Sequence, residues 1–454
     1  MNECGVVVTS NSMGVSKEDD NDESLVKDGG LAFVLRRALA ERAHSAREGA
    51  GILMELIREW GYAPSGRAYT IADKDEAFMF QLVRGRHYVG ARVPDDAVAV
   101  MPNHYTFHTL HDCPEMFYPD DVVAYAVEKG WYDPKCADRS DFDFAKAYQS
   151  PKTYQEGMNV YRHKYGQSIV LGRDWDLQRE GMPFAIYPGR EIDIGTLARA
   201  MASHYEGTQD DADRFGPGHA PHYSDAKRRI CAGSTVESDI WALADTACES
   251  CVYTCLGRPC EAPYVPLHPL LGLPACLKEP VDAEKAMATH LQPHPGVCFA
   301  GDRVADRFRH LCAAQEMLYI DTREKVEPAL KGFLAAAQRE NTGIHPDSIV
   351  QADETFLLNA LADMETLAKG FNLVPILGVT DRNLADADAT LEVEFSALEA
   401  PEEDSLLFGV EYTDLRKEYA GALPGSLRKT PRGSYTASFE LRPMLAVLPA
   451  PGKY

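Results

Sequence analysis

The stretch from residue 45 to residue 103 constrains the fold most, because an amphipathic helix there precedes a series of short strands. Ser45 and Glu48 match a capping box, in which the two side chains bond free backbone N–H groups at the start of a helix. Gly61 is predicted to end this helix. The apolar residues between these ends recur at the spacing of one helical face, and they are Leu53, Leu56, Ile57 and Trp60.

Strand-like segments follow the helix, separated by very short turns rich in Gly, Pro and Asp. Turns of this length join antiparallel neighbours. The predicted strands lie at residues 68–72, 77–83, 88–93 and 97–101. The pattern therefore predicts an α+β protein in which helices pack on one face of an antiparallel sheet.

The rest of the chain alternates between helical, irregular and strand-like segments. Helices are predicted at 120–130 and 193–205, and residues 132–180 are predicted to be irregular. Further strands are predicted at 234–243, 247–256, 264–267, 390–395 and 434–441. No internal repeat divides the sequence, so residues 1–454 are predicted to form one domain with a helical portion at 303–371.

The charge balance limits the partners of the chain. Its 46 basic and 69 acidic residues give a net charge of −23, which repels phosphate backbones and anionic membranes. We therefore expect no nucleic-acid partner and no membrane partner, while a homo-oligomer stays open. No apolar run reaches the length of a membrane-spanning helix and no leader pattern follows Met1, so a cytoplasmic location is expected.

Cysteine spacing raises the question of a metal. Cys248, Cys251, Cys255 and Cys260 form a C-x2-C-x3-C-x4-C pattern, and a zinc site is one interpretation. A second C-x2-C unit, which zinc knuckles use, is absent, and the alternation of Cys251 and Cys255 is typical of one strand face. Buried structural thiols are the favoured interpretation. The odd total of 11 cysteines also favours reduced thiols over a disulfide framework.

Histidines cluster after the last predicted strand of the opening stretch. They are His104, His108 and His111, with Asp112 and Glu115 nearby. The H-E-x-x-H pattern of a zinc protease is absent, so metal binding is the weaker interpretation of this group. We expect neither a metal nor a cofactor.

Several longer motifs carry a family resemblance. They are Asn2-Glu3-x-Gly5-Val6, GYAPSGRAYTIADKDEAF (61–78), RVPDDAVAVMPN (92–103) and SHYEGT (203–208), with weaker matches in CAGSTVES (231–238) and GRPCEAPYVPL (257–267). In this order the sequence resembles the dipeptidases of peptidase family C69, which are cysteine-type N-terminal-nucleophile (Ntn) hydrolases. Secernin-like proteins and bile-salt or penicillin amidases share the fold and should match less of the sequence.

The resemblance implies a four-layer αββα sandwich of two antiparallel sheets, with additional helices in the C-terminal half. It also implies hydrolysis of a dipeptide or small amide by an N-terminal Cys whose own α-amine acts as the base. Two alternatives stay open. One is a non-catalytic, degenerate family member that binds peptides on the same fold, and the other is an amidase of the bile-salt or penicillin acylase type.

The resemblance also points to site residues. Asn103, at the end of a predicted strand, resembles the active-site Asn of the wider amidase group and would contact the oxyanion or the substrate amide. The alternative is a turn Asn that bonds its own local backbone. Asn11 is a weaker second candidate. Ser234 and Thr235 fall where the strand of the family lines the pocket, although they are also ordinary strand residues.

The nucleophile itself is not assigned. In the family the attacking Cys precedes the Asn-Glu-x-Gly-Val strand by some tens of residues, whereas here Met1 stands directly before Asn2. Cys4 occupies the variable position of that motif and is interpreted as a packing residue. A late start codon, a gene fragment or a degenerate member would each explain the difference, and the intact downstream motifs favour the late start codon.

Overall fold

The computed structural model describes most of the chain. The described residues are 1–19, 21–136, 139–153, 157–211, 222, 228–278, 304, 307–308, 311–312, 319–340, 346–369, 376–382, 390–395, 401–403, 406–411, 417–431 and 434–440. Parts of the predicted helical portion 303–371 lie outside these residues.

An antiparallel sheet organises the N-terminal part of the chain. The first six strands are β1 (Val7–Ser12), β2 (Tyr62–Ala72), β3 (Ala77–Gly85), β4 (Tyr88–Arg92), β5 (Val98–Ala99) and β6 (Met116–Phe117). Five of them form one sheet in the order β1-β2-β3-β4-β6, with every neighbouring pair antiparallel. The predicted run of antiparallel strands is therefore confirmed for β2, β3 and β4.

The fourth predicted strand does not join this sheet. β5 pairs with β7 (Ala185–Ile186), and β6 takes the place beside β4. The backbone is extended within the predicted strand 97–101, but its partners are far along the chain: Val98 lies opposite Ile186, 88 positions away, and Ala99 lies opposite Ala185, 86 positions away. Local patterning cannot specify a partner at such a separation.

Two helices cover one face of the sheet. They are α1 (Val34–Arg42) and α2 (Ala46–Trp60), and α2 ends at Gly61, whose φ is 75°. The Ser45 side chain caps α2 by accepting from the backbone N–H of Glu48 at 3.1 Å, as predicted. The second half of the capping box differs, because the Glu48 carboxylate accepts from the N–H of His44 at 2.8 Å and not from that of Ser45.

The Asn2-Glu3-x-Gly5 motif joins α1 to β1. The Asn2 amide N–H groups donate to the carbonyl oxygens of Ala40 and Ala43, at 3.0 and 2.7 Å, at the end of α1. The Asn2 side-chain oxygen accepts from the backbone N–H groups of Cys4 and Val6. Gly5 has a φ of 82°, a conformation that favours glycine. The motif therefore builds the turn that starts β1.

The other face of the sheet is covered by the segment that follows β5. Its buried aromatic residues Tyr105, Phe107, Phe144 and Tyr148 share one core with sheet residues such as Val89. This segment contains α3 (Val122–Glu128), which confirms the helix predicted at 120–130, and α4 (Phe144–Tyr148). The packing described on this face does not establish a second large sheet there. The four-layer sandwich therefore stays a prediction.

The prediction of an irregular segment at 132–180 is wrong. Besides α4, it contains α5 (Gly157–Leu171) and α6 (Leu177–Glu180). The inward face of α5 carries buried polar residues, including His163 and Gln167, so the helix has no apolar period to detect. The next helix, α7 (Ile194–Met201), begins at its predicted N-cap Asp193, whose carboxylate accepts from the N–H of Thr196 at 2.7 Å.

A second sheet contains β8 (Ser238–Ala242), β9 (Cys251–Cys255) and β10 (Tyr264–Leu267), antiparallel in the order β10-β9-β8. The three predicted strands are confirmed, although β8 and β9 each begin four residues later than predicted. Two long helices, α8 (Tyr319–Glu340) and α9 (Pro346–Lys369), pack against β10 around one apolar core. Among the described residues, no helix is both long enough and apolar enough to span a membrane.

The C-terminal part is mainly β. Its strands are β11 (Ile376–Arg382), β12 (Thr390–Phe395), β13 (Leu407–Glu411), β14 (Lys417–Gly421), β15 (Arg428–Lys429) and β16 (Tyr435–Glu440). A four-stranded sheet has the order β11-β12-β16-β15, and β13 pairs with β14. The strands predicted at 390–395 and 434–441 are confirmed as β12 and β16.

Candidate active site

The structure brings Asn11 and Asn103 together at the end of β1. Asn11 lies opposite Ala68 in the β1–β2 register, and Ala68 belongs to the core on the face of the sheet away from α1 and α2. The Asn11 side-chain amide donates to the carbonyl oxygen of Pro102 at 3.1 Å. The Asn103 amide donates to the carbonyl oxygen of Ser12. Each asparagine therefore binds the backbone beside the other.

The contacts of Asn103 bear on its two interpretations, as a site residue or as a turn residue. A turn Asn would bond its own local backbone, but the Asn103 amide reaches a carbonyl 91 residues away. An amide nitrogen carries two N–H donors, and the bond to Ser12 uses one of them. Among the described residues, the second N–H and the side-chain oxygen of Asn103 have no protein hydrogen-bond partner. Asn103 is half-buried, so this part of the side chain is both positioned and reachable.

β1 is an edge strand among the described residues, because β2 is its one neighbour in the sheet order there. An edge presents unpaired N–H and C=O groups that can pair with a further strand. On the opposite face from Asn11, the guanidinium of Arg67 donates to the hydroxyls of Ser10 and Ser12, at 3.3 and 3.2 Å. The strand end that carries Asn11 is thereby held from both faces.

Cys4 lies in the turn before β1 and is exposed. Its backbone N–H donates to Asn2, and no hydrogen bond joins its thiol to Asn11 or Asn103 among the described contacts. The contact and the exposure of Cys4 are therefore those of a turn residue.

Ser234 and Thr235 occupy the loop before β8, not the strand itself. The Ser234 hydroxyl accepts from Arg228 at 2.6 Å, and the Thr235 hydroxyl accepts from the backbone N–H of Ala232 at 3.2 Å. Their predicted placement on a strand is wrong because the Thr235 N–H turns back to the carbonyl of Ala232, which closes a local turn. None of their described hydrogen bonds connects them to the asparagine pair.

The histidines that follow β5 have different partners. The Nε2 atom of His104 lies 3.1 Å from Nδ1 of buried His163, and burial lowers the pKa of His104 to about 4. His108 lies 3.0 Å from the carboxylate of Asp143, and although burial opposes protonation, this bond raises the pKa of His108. Asp112 accepts from the backbone N–H of His108. Among the described residues they form no shared metal site.

The four cysteines of the C-x2-C-x3-C-x4-C pattern do not converge either. Cys248 is exposed, whereas Cys251 and Cys255 are buried in β9 within the core that includes α8 and α9. Cys260 lies apart from them, packed against Cys231. The favoured interpretation of packed thiols agrees with the positions of Cys251 and Cys255.

Cys260 instead takes part in a cluster that the sequence pattern does not predict. It comprises His204, His222, Cys231 and Cys260, all buried, whose ligand atoms lie within 4.8 Å of one another. A signal was present in the sequence, since three of the four residues fall within the motifs SHYEGT, CAGSTVES and GRPCEAPYVPL. Spacing alone could not connect them, because His204 and Cys260 are far apart in the chain.

Two open clefts lie elsewhere on the surface. One, of about 860 Å³, is lined by residues that include His108, Asp112 and Met182. The other, of about 730 Å³, is lined by residues that include Tyr165 and Glu206. Asn11 and Asn103 line neither of these two clefts.

Comparison with known proteins places the chain in a family. The model of peptidase family C69 matches residues 25–276, which is more than half of the 454 residues. The chain belongs to peptidase family C69. The matched range includes Asn103 and all four residues of the buried cluster around Cys260, and it also takes in β2 to β10.

Curated relatives are similar over shorter stretches. Probable dipeptidase B of Lactococcus lactis subsp. lactis is 26% identical over 179 residues, 39% of this chain and 37% of the relative. Probable dipeptidase of Salmonella dublin is 24% identical over 259 residues, 54% of this chain and 57% of the relative. Dipeptidase of Bifidobacterium longum is 29% identical over 187 residues, 37% of this chain and 34% of the relative. The chain thus matches about one third to three fifths of their lengths.

Proposed function

We propose that this chain provides the fold and the substrate-binding residues of a dipeptidase that uses the cysteine Ntn mechanism. Membership of family C69 and the names of the relatives support the reaction class. The observation that carries the proposal is the pair of side-chain amides, Asn11 and Asn103, held side by side at the end of an edge strand. Such a pair supplies hydrogen-bond donors where an oxyanion would form.

In the proposed reaction, a Cys thiolate attacks the peptide carbonyl carbon, and the carbonyl oxygen becomes an oxyanion. The α-amine of that Cys takes the thiol proton and returns it to the leaving amine, and water then hydrolyses the thioester. The family resemblance implies a Cys ahead of β1, and a strand that paired with the open edge would bring such a Cys near Asn103. The free N–H of Asn103 is the proposed oxyanion donor.

The bond from Asn103 to the Ser12 carbonyl makes this donor preorganised. An amide that is already oriented does not have to reorganise when charge develops, and removing such a donor typically lowers kcat by about 10²–10³-fold. The edge strand thus both receives the nucleophile strand and supplies, through Ser12, the carbonyl that orients the donor.

The test uses protein expressed from its complete reading frame, assayed on a panel of dipeptides. We expect dipeptide hydrolysis that is lost on alkylation with iodoacetamide, with the alkylated residue located by mass spectrometry at an N-terminal Cys. Alkylation of Cys4 alone, with activity retained, agrees with the proposal. Turnover that persists after complete thiol alkylation would contradict it. Preference for bile-salt or penicillin amides over every dipeptide would instead indicate the amidase alternative.

A binding protein without turnover is the second candidate. It is favoured by one observation, that no described thiol is hydrogen-bonded to Asn11 or Asn103. Titration calorimetry on the same protein distinguishes the two functions. Dipeptide binding that is weakened by Asn103→Ala, with no product formed over hours, would establish the binding protein in place of the enzyme.

A further inference from the structure

We propose that His204, His222, Cys231 and Cys260 bind one zinc ion, which acts as a structural cross-link. This site is separate from the Asn11–Asn103 pair and does not depend on the proposed dipeptidase reaction. None of its residues has a part in that mechanism.

The distances between the ligand atoms fit a tetrahedron. Nε2 of His222 lies 3.0 Å from Nε2 of His204, 3.2 Å from Sγ of Cys260 and 3.5 Å from Sγ of Cys231. The two Sγ atoms are 3.5 Å apart. Zinc bonds of about 2.3 Å to sulfur and about 2.0 Å to nitrogen give tetrahedral edges of roughly 3.3–3.8 Å. Small shifts of these side chains would therefore place all four atoms around one ion.

The donor set selects zinc and a structural role. Two thiolates and two imidazoles in a tetrahedral arrangement are typical zinc ligands. A two-iron cluster needs its cysteine pair and histidine pair on different irons, which a group within 4.8 Å does not allow. All four residues are at most 7% exposed, so no coordination position remains for water or substrate. A closed site of this kind stabilises the fold and leaves the chemistry to other residues.

A carboxylate lies near the Nδ1 atom of each histidine of the cluster. Nδ1 of His204 lies 3.4 Å from Oε1 of Glu206, and Nδ1 of His222 lies 3.9 Å from Oε1 of Glu261. Glu261 is fully buried and its other oxygen accepts from Arg258 at 2.6 Å. A carboxylate at the second nitrogen fixes which tautomer a zinc-bound histidine adopts and increases its basicity. In both histidines the carboxylate lies on the Nδ1 side of the ring, at ion-pair distance and without a hydrogen bond between the two groups, while Nε2 faces the proposed ion.

The four ligands come from distant parts of the chain. His204 follows the end of α7, Cys231 lies in the loop before β8, and Cys260 lies in the turn between β9 and β10. The backbone N–H of Cys231 also donates to the carbonyl of Ser203 at 3.2 Å, which already brings two of these segments together. A zinc ion here would join the helix α7 region to the β8–β10 sheet.

The experiment measures the metal content of the full chain, purified without chelator from zinc-supplemented cells. We expect about one zinc per chain, as for a closed four-ligand site. Cobalt exchanged into the site should produce the thiolate-to-cobalt absorption of a tetrahedral centre. Cys231→Ser and Cys260→Ser are expected to lower zinc content by at least tenfold, as the loss of a ligand requires.

The controls are cysteines of the same segment that lie outside the cluster. Cys255→Ala tests a buried thiol and Cys248→Ser an exposed one, and both are expected to retain zinc. If the ligand variants do not fold, the cobalt spectrum of the unaltered chain decides the question. Absence of zinc and of cobalt–thiolate absorption in that chain, or a Cys231–Cys260 disulfide found by mass spectrometry, would overturn the proposal. The readout is metal content, so it is independent of whether dipeptides are hydrolysed.

Discussion

The side chains of Asn11 and Asn103 exchange hydrogen bonds with each other's backbone neighbours. Asn11 donates to Pro102, and Asn103 donates to Ser12, and in each case donor and acceptor are 91 positions apart in the chain. The two bonds fix the loop that carries Asn103 to the end of an edge strand. Both asparagines are held before any ligand arrives, which is the condition under which an amide stabilises a developing charge most strongly.

Replacing Asn103 by Ala should lower kcat on dipeptides by about 10²–10³-fold while KM changes little, because an oxyanion donor acts in the transition state. The measurement is steady-state kinetics on protein from the complete reading frame, with folding checked by circular dichroism. Asn21→Ala, at an exposed asparagine remote in sequence, is the control and should keep its activity. An Asn103→Ala enzyme with unchanged kcat would contradict this role.

Asn2→Ala should destabilise the fold by about 4 kcal/mol, because it removes four hydrogen bonds that each contribute about 1 kcal/mol net. Asn2→Asp keeps the oxygen that accepts from Cys4 and Val6 but loses the donors to Ala40 and Ala43, so its cost should be comparable or larger. Urea unfolding of both variants is the measurement. A cost within the error of the exposed Asn21→Ala control would show that the motif does not hold α1 to β1.

Gly49→Ala and Gly51→Ala should change stability in opposite directions although both lie in α2. A Cβ at Gly49 would meet Cγ2 of Ile71 at 2.9 Å, inside the sheet core, and such overpacking costs about 1–3 kcal/mol. A Cβ at Gly51 meets nothing within 4 Å, and the substitution should stabilise the helix by about 0.5–1 kcal/mol. Thermal unfolding of the two variants compares them directly. Equal shifts of Tm would contradict the packing of α2 described above.

Stability should fall as the pH rises from about 6.5 to about 9, through the buried pair His268–Asp353. Nδ1 of His268 lies 3.0 Å from the carboxylate of Asp353, and although burial opposes protonation, this bond, together with the neighbouring Cys251, raises the pKa of His268 to about 9. Because the pKa of His268 is higher in the folded state, the pair contributes its full stabilisation below pH 6.5, the pKa in the unfolded chain. This contribution is lost as the pH rises through the folded-state pKa of about 9. Unfolding free energies measured across this range provide the test.

His268→Gln should remove that pH dependence, and Asp353→Asn should remove it as well, since either change deletes the charged pair. Asp353→Asn should also destabilise the fold at pH 6, because the buried histidine loses its counter-charge. If His268→Gln shows the same slope as the unaltered chain between pH 6.5 and 9, the slope belongs to other groups.

The local elements of this chain could be predicted from its sequence. The cap at Ser45, the end of α2 at Gly61 and the strands from β2 to β4 all follow from nearest-neighbour chemistry along the chain. The helix α5 could not be predicted in this way, because its buried face is polar and carries no apolar period.

The motifs of the sequence also identified family C69 and the pair Asn11 and Asn103 as candidates. What a sequence pattern could not decide was that Asn103 bonds across 91 residues to Ser12, or that Gly49 faces the core while Gly51 does not. Nor could C-x-x-C spacing separate Cys260 from Cys251 and join it to Cys231 and two histidines. Local chemistry acts between residues near in the chain, whereas these contacts exist only because the folded backbone brings distant residues within a few ångströms.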